Sequence, residues 1–277
     1  MTGGRIGVGG FAPRVQLLRS NSDLAQEGQV SDLNYLNRLR VLEMEQLISL
    51  LPSGGSVLEF GAGTGQQARI LADRGFDVVA VDMASSTYAS HRSFPVQDYD
   101  GRRIPLNDQS VDVVFSSNVL EHVEDLSATL AEFRRVLRPG GTGIHVMPTT
   151  AWRFWTFITA ITDAAITAAR LPVNVASPPE GLTRTRAFTV NVRRMVRGLT
   201  PLGHGTSPEG ISELWTFSAR AWRRKFEKNG YKVITHKPMG IFYSGNVLLG
   251  LRLPFASRSK LSRIFGSSMR IYVVQPI

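Results

Sequence analysis

The chain has 277 residues, of which 43% are hydrophobic and 19% charged, a balance that predicts a globular protein with an ample core. It contains no cysteine, which excludes disulfides, thiolate metal sites and cysteine nucleophiles. The net charge of +10 is uneven, because residues 151–277 carry 14 Arg, 5 Lys and 5 acidic residues while residues 1–150 are slightly acidic. The basic half favours anionic partners such as phosphate-bearing substrates, nucleic acid or an anionic membrane face.

Residues 1–30 are rich in glycine and then polar, and we expect them to be mostly irregular. They lack the continuous apolar segment of a signal peptide, so a cytoplasmic location is expected. No window offers the roughly 18 uninterrupted apolar residues of a membrane-spanning helix. From Ser31 to Leu51, leucines recur at helical spacing, which predicts a helix with Ser31 as its N-cap. Residues 1–55 are therefore interpreted as an N-terminal segment and a helix that covers the sheet.

A glycine-rich turn follows the first predicted strand, Ser56–Phe60. Glycines occupy alternate positions of this turn: Gly61, Gly63 and Gly65. Without Cβ atoms, such a turn can bend sharply and let a ligand lie against its backbone N–H groups. A short helix and a second strand, Asp77–Val81, come next, and this strand ends at Asp82. An acid at the end of the second strand of a βαβ unit lies where a ribose would present its hydroxyls.

The spacing of the glycines separates two nucleotide cofactors. A dinucleotide fingerprint, G-x-G-x-x-G, would need glycine where Gln66 stands, so the spacing disfavours NAD. Together with Glu59, the pattern E-x-G-x-G-x-G resembles motif I of the class I S-adenosylmethionine (SAM) dependent methyltransferases. The resemblance implies SAM as cofactor, with Asp82 on the ribose, Met83 against the adenine and the loop amides and Glu59 at the methionine end. It also makes Tyr35, on the leading helix, a candidate to close over the cofactor.

A third strand is predicted at Phe94–Asp98, again ending in an acid and followed by Tyr99. Acids at successive strand ends line one edge of a parallel sheet, where ligands bind in open α/β folds. By resemblance to the methyltransferases, Asp98 is assigned to the adenine amino group, with Tyr99 beside it. The alternative for Asp98 is a solvated acid in a turn.

The segment from residue 104 to 126 resembles L-P-F-x-D-x-S-F-D-x-V…L-H-H/E-H, a motif of the methyltransferases that act on small molecules, lipids and quinones. It contains a fourth strand, Val111–Ser117. The resemblance implies that Asn118 faces the methionine portion of the cofactor. His122 lies at the same edge and is a candidate general base, with an unperturbed pKa near ~6.5. Its alternative role is to orient the loop or pack, because a sulfonium is already activated and methyl transfer often needs no strong base.

A helix from Leu126 to Leu137, which Asp125 can cap, an R-P-G-G turn and a fifth strand at Gly143–Met147 complete the methyltransferase-like pattern of residues 56–148. The resemblance implies a Rossmann-like, doubly wound sheet of seven mostly parallel strands, one of them antiparallel. The last two strands are expected at Tyr231–His236 and Arg270–Val274. We therefore interpret residues 56–150 as the SAM-binding core and residues 231–277 as the C-terminal strands that complete the sheet.

The intervening segment, residues 151–230, is interpreted as a basic insertion on the substrate side. Residues 151–170 predict an amphipathic helix that either lies in a membrane interface, covers an acyl chain or packs on the sheet. Residues 172–210 are rich in Pro, Gly, Ser and Thr and predict a basic insertion of helix and loop rather than a second core, in which His204 either approaches the acceptor or has no role. Its arginines either bind phosphate or carboxylate ligands or are simply solvated. They are Arg184, Arg186, Arg193, Arg194 and Arg197. A helix is predicted at Trp215–Asn229, with Ser218 as a cap.

These features favour a SAM-dependent methyltransferase that modifies a small or lipid-linked acceptor, most simply on oxygen, and that contacts the inner membrane face peripherally through its basic half. Methylation of RNA is a less favoured hypothesis, because S-N-V-L-E-H follows the fourth strand in place of the N-P-P-Y type of motif. A protein that binds SAM without catalysis, or a membrane-surface adaptor, is the hypothesis from another class. No metal site is predicted, and the oligomeric state stays open.

Overall fold

A computed structural model describes residues 35–200, 203–204, 210–245 and 253–277. Within these residues the strands are β1 Ser56–Phe60, β2 Asp77–Met83, β3 Val96–Tyr99, β4 Val111–Ser117, β5 Leu137–Pro148, β6 Tyr231–Pro238 and β7 Met269–Pro276. They form a seven-stranded sheet in the order β3-β2-β1-β4-β5-β7-β6. β7 runs antiparallel to both of its neighbours, and the other pairs are parallel. The predicted doubly wound, Rossmann-like fold is confirmed.

Helices cover both faces of this sheet. In chain order they are α1 35–47, α2 Gln66–Ala72, α3 Leu126–Val136, α4 Thr150–Ala176, α5 Arg184–Leu199, α6 Glu213–Thr216, α7 Ala219–Lys228 and α8 Phe255–Phe265. One core cluster joins Phe133 of α3 and Phe226 of α7 to the sheet, and another joins Leu39 of α1 and Trp152 of α4 to it. Among the described helices, none combines the length and hydrophobicity needed to cross a bilayer.

Two predicted helix starts agree with the structure in detail. Asp125 caps α3 by accepting a hydrogen bond from the Ala128 N–H at 2.9 Å, and Ser218 caps α7 in the same way. The single helix predicted at Trp215–Asn229 is wrong, however, because the Ser218 cap begins α7 anew and leaves α6 as a separate turn. The predicted N-cap Ser31 lies outside the described residues, as does the irregular segment 1–30.

The insertion at residues 172–210, expected to combine helix and loop, contains the end of α4 and all of α5. α4 continues through Pro172 to Ala176, and α5 returns along it. The two helices approach closely because small residues meet: a Cβ on Gly198 would lie 2.7 Å from the carbonyl oxygen of Ala160. Packing between the helices therefore outweighs the helix-breaking residues of this segment.

Strand boundaries also differ from prediction, by a few residues in most cases. β3 begins and ends later than expected, so its last residue is Tyr99 rather than Asp98. β5 begins at Leu137, six residues early, because its first residue pairs with Val111 of β4. The consequence for the site is that the acid following β3 is Asp100.

Candidate active site

A cavity of about 1030 Å³ opens at the carboxyl ends of the parallel strands. One part of its wall comes from the glycine loop and the neighbouring strand ends: Gly61 to Thr64, Asp82, Met83, Tyr99, Asp100 and Asn118. The other part comes from segments far apart in the chain: Tyr35, Arg40, His122, Trp152, His204 and Tyr243. We call these parts the cofactor end and the acceptor end.

The cofactor end is built around backbone groups. Gly61 and Gly63 have φ angles of +76° and +57°, and a Cβ on Gly61 would lie 2.4 Å from a methyl of Val119. Glycine is therefore required at position 61 by both backbone conformation and space. The Gly63 N–H donates to Asp82 Oδ2 at 2.9 Å, and the Met83 N–H donates to Asp82 Oδ1 at 2.8 Å. These bonds fix the carboxylate of Asp82 at the cavity wall beside the loop.

Seven of the ten predicted site residues line the cavity: Gly61, Gly63, Asp82, Met83, Tyr99, Asn118 and His122. Glu59, Gly65 and Asp98 do not. Gly65 instead precedes α2 with φ +75°, where a Cβ would lie 2.7 Å from Cβ of Phe94. Its glycine is a requirement of the turn.

Glu59 lies beneath the loop and is 2% exposed. Burial raises the pKa of its carboxyl to about 8, although a hydrogen bond from the Ala68 backbone and the charge of Arg40 oppose this shift. At neutral pH the group is therefore mostly protonated, which lets it lie in the core behind α2. The structure gives Glu59 a supporting position rather than a place on the cavity wall.

Asp98 turns away from the cavity. Its exposed carboxylate pairs with Arg92, with Arg92 Nη1 3.0 Å from Asp98 Oδ1. Asp100, two residues further on, lines the cavity, and its Oδ1 accepts from the backbone N–H groups of Arg102 and Arg103. These two bonds lower the pKa of Asp100. The sequence pointed to Asp98 because the strand was predicted to end one residue too early.

At the cofactor end, Asn118 also adopts a left-handed backbone conformation, with φ +56°. In the amide orientation that satisfies its polar atoms, its oxygen accepts from Arg40 Nη1 at 2.6 Å. Arg40 also pairs with buried Glu43 at 2.5 Å, and the Tyr243 hydroxyl donates to the same carboxylate. Sequence reasoning missed this network, although Arg40 and Glu43 are spaced to share one face of a helix.

Comparison with known proteins agrees with this geometry. Residues 58–144 match the model of a methyltransferase domain. The chain is 44% identical over 96 residues to malonyl-[acyl-carrier protein] O-methyltransferase of Yersinia pestis, covering 32% of this chain and 35% of that protein. Residues 58–144 form a class I SAM-dependent methyltransferase domain. The cofactor of this domain is SAM.

Two further similarities concern a second relative and a solved structure. The demethylmenaquinone methyltransferase of Corynebacterium urealyticum is 38% identical over 93 residues, covering 33% of this chain and 40% of that one. The chain thus aligns with less than half the length of both relatives. A methyltransferase solved in complex with the Trm112 activator of Haloferax volcanii covers 91% of this chain and 96% of its own, with a TM-score of 0.52 and 15% identity. That similarity concerns the fold alone.

At the acceptor end of the cavity, the rings of two histidines are in contact. The rings of His122 and His204 pack edge to face with centroids 4.7 Å apart, and Trp152 packs against His204 in the same manner at 4.6 Å. Burial lowers the pKa of His122, and burial with the charges of His122 and Arg153 lowers the pKa of His204 to about 4. Both imidazoles are therefore neutral at pH 7.

His204 is held by a buried ion pair. Its backbone N–H donates to Glu213 Oε1 at 2.6 Å, and Arg153 Nε lies 2.9 Å from Glu213 Oε2. Arg153 also donates to the Gly210 carbonyl at 3.0 Å and lies over the ring of Phe157. His204 therefore lies at the cavity because the Arg153–Glu213 ion pair between α4 and α6 holds its backbone. This position is one of the two alternatives that the sequence left open.

An apolar surface lies beside the acceptor end of the cavity. It begins at the N-terminal turns of α4, where Trp152 faces the cavity and the next aromatic residues face outward. We call it the apolar face, and its exposed members are Phe154, Ile158, Ile161, Trp215, Ile264 and Phe265. Trp215 is 67% exposed. Such a set of large apolar side chains next to a ligand cavity exceeds the isolated exposed residues that are usual on protein surfaces.

The arginine cluster of α5 is partly neutralised. Arg194 forms a two-contact pair with Asp163 of α4, in which Nε to Oδ2 measures 2.6 Å. Arg184, Arg186 and Arg197 are exposed on the same helix. None of the predicted cluster lines the cavity at the end of the sheet.

Proposed function

We propose that this chain transfers a methyl group from SAM to an oxygen of a small or lipid-linked acceptor. The cavity at the strand ends carries the proposal, because its volume of about 1030 Å³ lies at the upper limit of ordinary ligand pockets, roughly 300–1,000 Å³, and so admits a nucleotide and an acceptor together. The domain division into a SAM-binding core at 56–150, an acceptor-side segment at 151–230 and sheet-completing strands at 231–277 is part of this proposal.

The cofactor end offers groups suited to each part of SAM. Asp82 would accept hydrogen bonds from the ribose hydroxyls, the Gly61 to Gly63 backbone and Asn118 would face the amino-acid portion, and Met83 with Tyr99 would border the adenine. We assign the adenine amino group to Asp100, since Asp98 is engaged by Arg92. Bound there, SAM supplies a methyl group on a sulfonium, which is already an activated leaving group.

His122 is our candidate to accept the acceptor's proton. Its imidazole is neutral at pH 7 because burial lowers its pKa, and it opens onto the acceptor end of the cavity. Positioning of the acceptor by the walls of this end would supply much of the rate. Oxygen is favoured as the methylated atom because the Yersinia relative is an O-methyltransferase.

A lipid-linked acceptor and peripheral membrane contact are supported by the apolar face. It adjoins the acceptor end, and it belongs to the half of the chain that carries a net charge of +14. Exposed aromatic and aliphatic side chains combined with excess Lys and Arg favour binding at an anionic bilayer surface. This arrangement would let an acceptor that is anchored in a membrane reach the cavity without leaving the bilayer.

The test is transfer of a labelled methyl group from SAM into separated aqueous, lipid and RNA fractions of a cell extract. We expect label in a base-labile or ether-linked product of the lipid or aqueous fraction, and none with Asp82→Ala. Label in RNA alone would reverse the ranking of acceptors. Cofactor binding without any labelled product would favour the non-catalytic hypothesis.

A further inference from the structure

Three metal-ligating side chains converge at the acceptor end: Glu121, His122 and His204. Their ligand atoms all lie within 4.8 Å of one another. Glu121 Oε1 is 3.8 Å from His122 Nε2, too far for a direct hydrogen bond. No sequence pattern predicts this cluster, because only Glu121 and His122 are neighbours and His204 follows more than eighty residues later.

The carboxyl group of Glu121 is the unusual member. The residue is 4% exposed, and neither of its carboxylate oxygens has a hydrogen-bond partner. A buried carboxyl without partners is costly, since burial removes its hydration and nothing replaces it. Its Oε1 faces the imidazole of His122, whose ring lies at the cavity. A cation between the two groups would supply the missing partner.

We infer that Glu121, His122 and His204 bind one divalent first-row transition metal ion, with Zn²⁺ as the representative. Two imidazole nitrogens and a carboxylate oxygen are the ligand set of many catalytic zinc sites, which keep a further position open. In a tetrahedral shell with bonds of about 2.1 Å, ligand atoms lie roughly 3.4 Å apart. The observed spread of up to 4.8 Å is about 1.4 Å wider, a difference that rotation of the two cavity-facing imidazoles can close.

The backbone around the cluster is already organised for such a site. His122 ends a short 3₁₀ turn, Leu120–His122, whose last N–H donates to the Val119 carbonyl. His204 is anchored through its N–H to Glu213, which is itself paired with Arg153. Trp152 packs on the His204 ring and restricts its orientation. These contacts hold the imidazoles near each other without using their ring nitrogens.

The inference deepens the proposed function and rests on it. The open metal position would take the acceptor's hydroxyl oxygen, and the ion would lower the pKa of that hydroxyl. Its proton then leaves to water, and the oxygen forms a bond to the methyl carbon as the carbon–sulfur bond breaks with its electron pair going to sulfur. His122 would act as a ligand in place of accepting the proton. The acceptor class becomes compounds with a hydroxyl group that can reach this open position.

The experiment titrates tag-free, chelator-treated full-length protein with Zn²⁺ alone in a calorimeter, and with Co²⁺ alone while recording visible absorption. We expect one tight site, and an affinity loss of about 100-fold or more in His122→Gln, His204→Gln and Glu121→Gln, because even outer-shell partners of metal sites are worth 10- to 100-fold. The controls are His91→Gln and His236→Gln, two histidines outside the cavity, which should keep wild-type affinity. His204→Gln keeps the test usable if the buried Glu121 variant fails to fold.

SAM is titrated separately into each protein. No Zn²⁺ or Co²⁺ site in a wild-type protein that binds SAM, or equal metal affinity in wild type and His204→Gln, would overturn the metal assignment and leave the methyltransferase proposal standing. Failure to bind SAM would count against the proposed function instead. Metal binding with the expected losses supports the site regardless of which acceptor is found.

Discussion

The two ends of the cavity are built in opposite ways. The cofactor end comes from one βαβ unit, in which the glycine loop and Asp82 are joined by a direct hydrogen bond. The acceptor end comes from α1, the turn after β4, α4 and residues 204 and 243, and it is held by two buried ion pairs, one within α1 and one between α4 and α6. A short sequence pattern can specify a site that is formed by local backbone geometry. It cannot specify a site that is formed by distant side chains, and such a site can change while the cofactor end stays the same.

The largest expected effect comes from breaking the ion pair under the acceptor end. Glu213→Ala leaves Arg153 buried without its carboxylate and frees the backbone of His204. We expect the free energy of unfolding to fall by about 3–5 kcal/mol, the usual cost of removing one partner of a buried pair. Urea unfolding followed by circular dichroism measures this. At a temperature where the variant is folded, its affinity for SAM should stay within about threefold of wild type.

The matched control is Glu227→Ala, which removes an exposed ion pair with Arg223 on α7 and should cost less than about 1 kcal/mol. Two results would contradict independent stabilisation of the two ends of the cavity. They are equal losses of unfolding free energy in the two variants and a loss of SAM affinity in folded Glu213→Ala.

At the cofactor end, the sharpest comparison is between two aligned acids. Asp82 and Asp98 are register partners at the ends of β2 and β3, yet only Asp82 lines the cavity. We expect Asp82→Ala to weaken SAM binding by about 100-fold, about 2.7 kcal/mol, because charged hydrogen bonds to the ribose and the cap on the Gly63 N–H are both lost. Asp98→Ala should change the affinity by less than about threefold. Calorimetric titration with SAM measures both affinities. A larger loss of affinity in Asp98→Ala than in Asp82→Ala would restore Asp98 to the site.

The sheet beneath both ends contains a histidine that should make stability depend on pH. His145 is fully buried between Phe133 and Phe226, and burial lowers its pKa to about 3. Unfolded chains bind a proton near pH ~6.5, so this contribution to stability is complete above that value and is lost as the pH falls toward 3. Between pH 7 and pH 5, wild type should lose about 2 kcal/mol more than His145→Gln.

Urea unfolding of both proteins at the two pH values measures the difference, in which the shifts of all other groups cancel. Parallel loss in wild type and variant would show that His145 is protonated in the folded state.

The smallest effect is expected on the apolar face. Trp215→Ser should weaken binding to vesicles that contain anionic phospholipid by about tenfold, or about 1.4 kcal/mol, while leaving SAM affinity unchanged. Ile277→Ser, an exposed apolar residue at the chain end outside the face, is the control. Co-sedimentation with anionic and zwitterionic vesicles gives the measurement. Wild type that fails to sediment with either kind would remove the membrane part of the proposal.

Much of the fold was predictable because the pattern that specifies it is local. Alternating glycines after Phe60, the acid at Asp82 and the caps at Asp125 and Ser218 each act within a few residues. The structure confirms the seven-stranded, mostly parallel sheet and both caps. The misplaced end of β3 was also a local matter, since the predicted end at Asp98 and the observed end at Tyr99 are one residue apart.

The rest of the site could not be predicted for a physical reason. The α4 and α5 pair depends on Gly198 meeting Ala160, and the position of His204 depends on Arg153 and Glu213, which are sixty residues apart. Nothing in the composition of residues 172–210 announces these contacts. Composition indicated only an insertion of helix and loop there, and long-range packing defines where its helices lie.

The most direct test of the central claim is a calorimetric titration of the intact wild-type protein with SAM. We expect one molecule of SAM to bind per chain, with a dissociation constant of about 1 μM to 1 mM, the range in which enzymes usually bind their substrates. We also expect Gly61→Val to abolish this binding, because the added side chain would clash with Val119 and close the loop against the ligand. No heat of binding with wild type, or equal binding by Gly61→Val, would contradict a cofactor site at the carboxyl edge of the sheet.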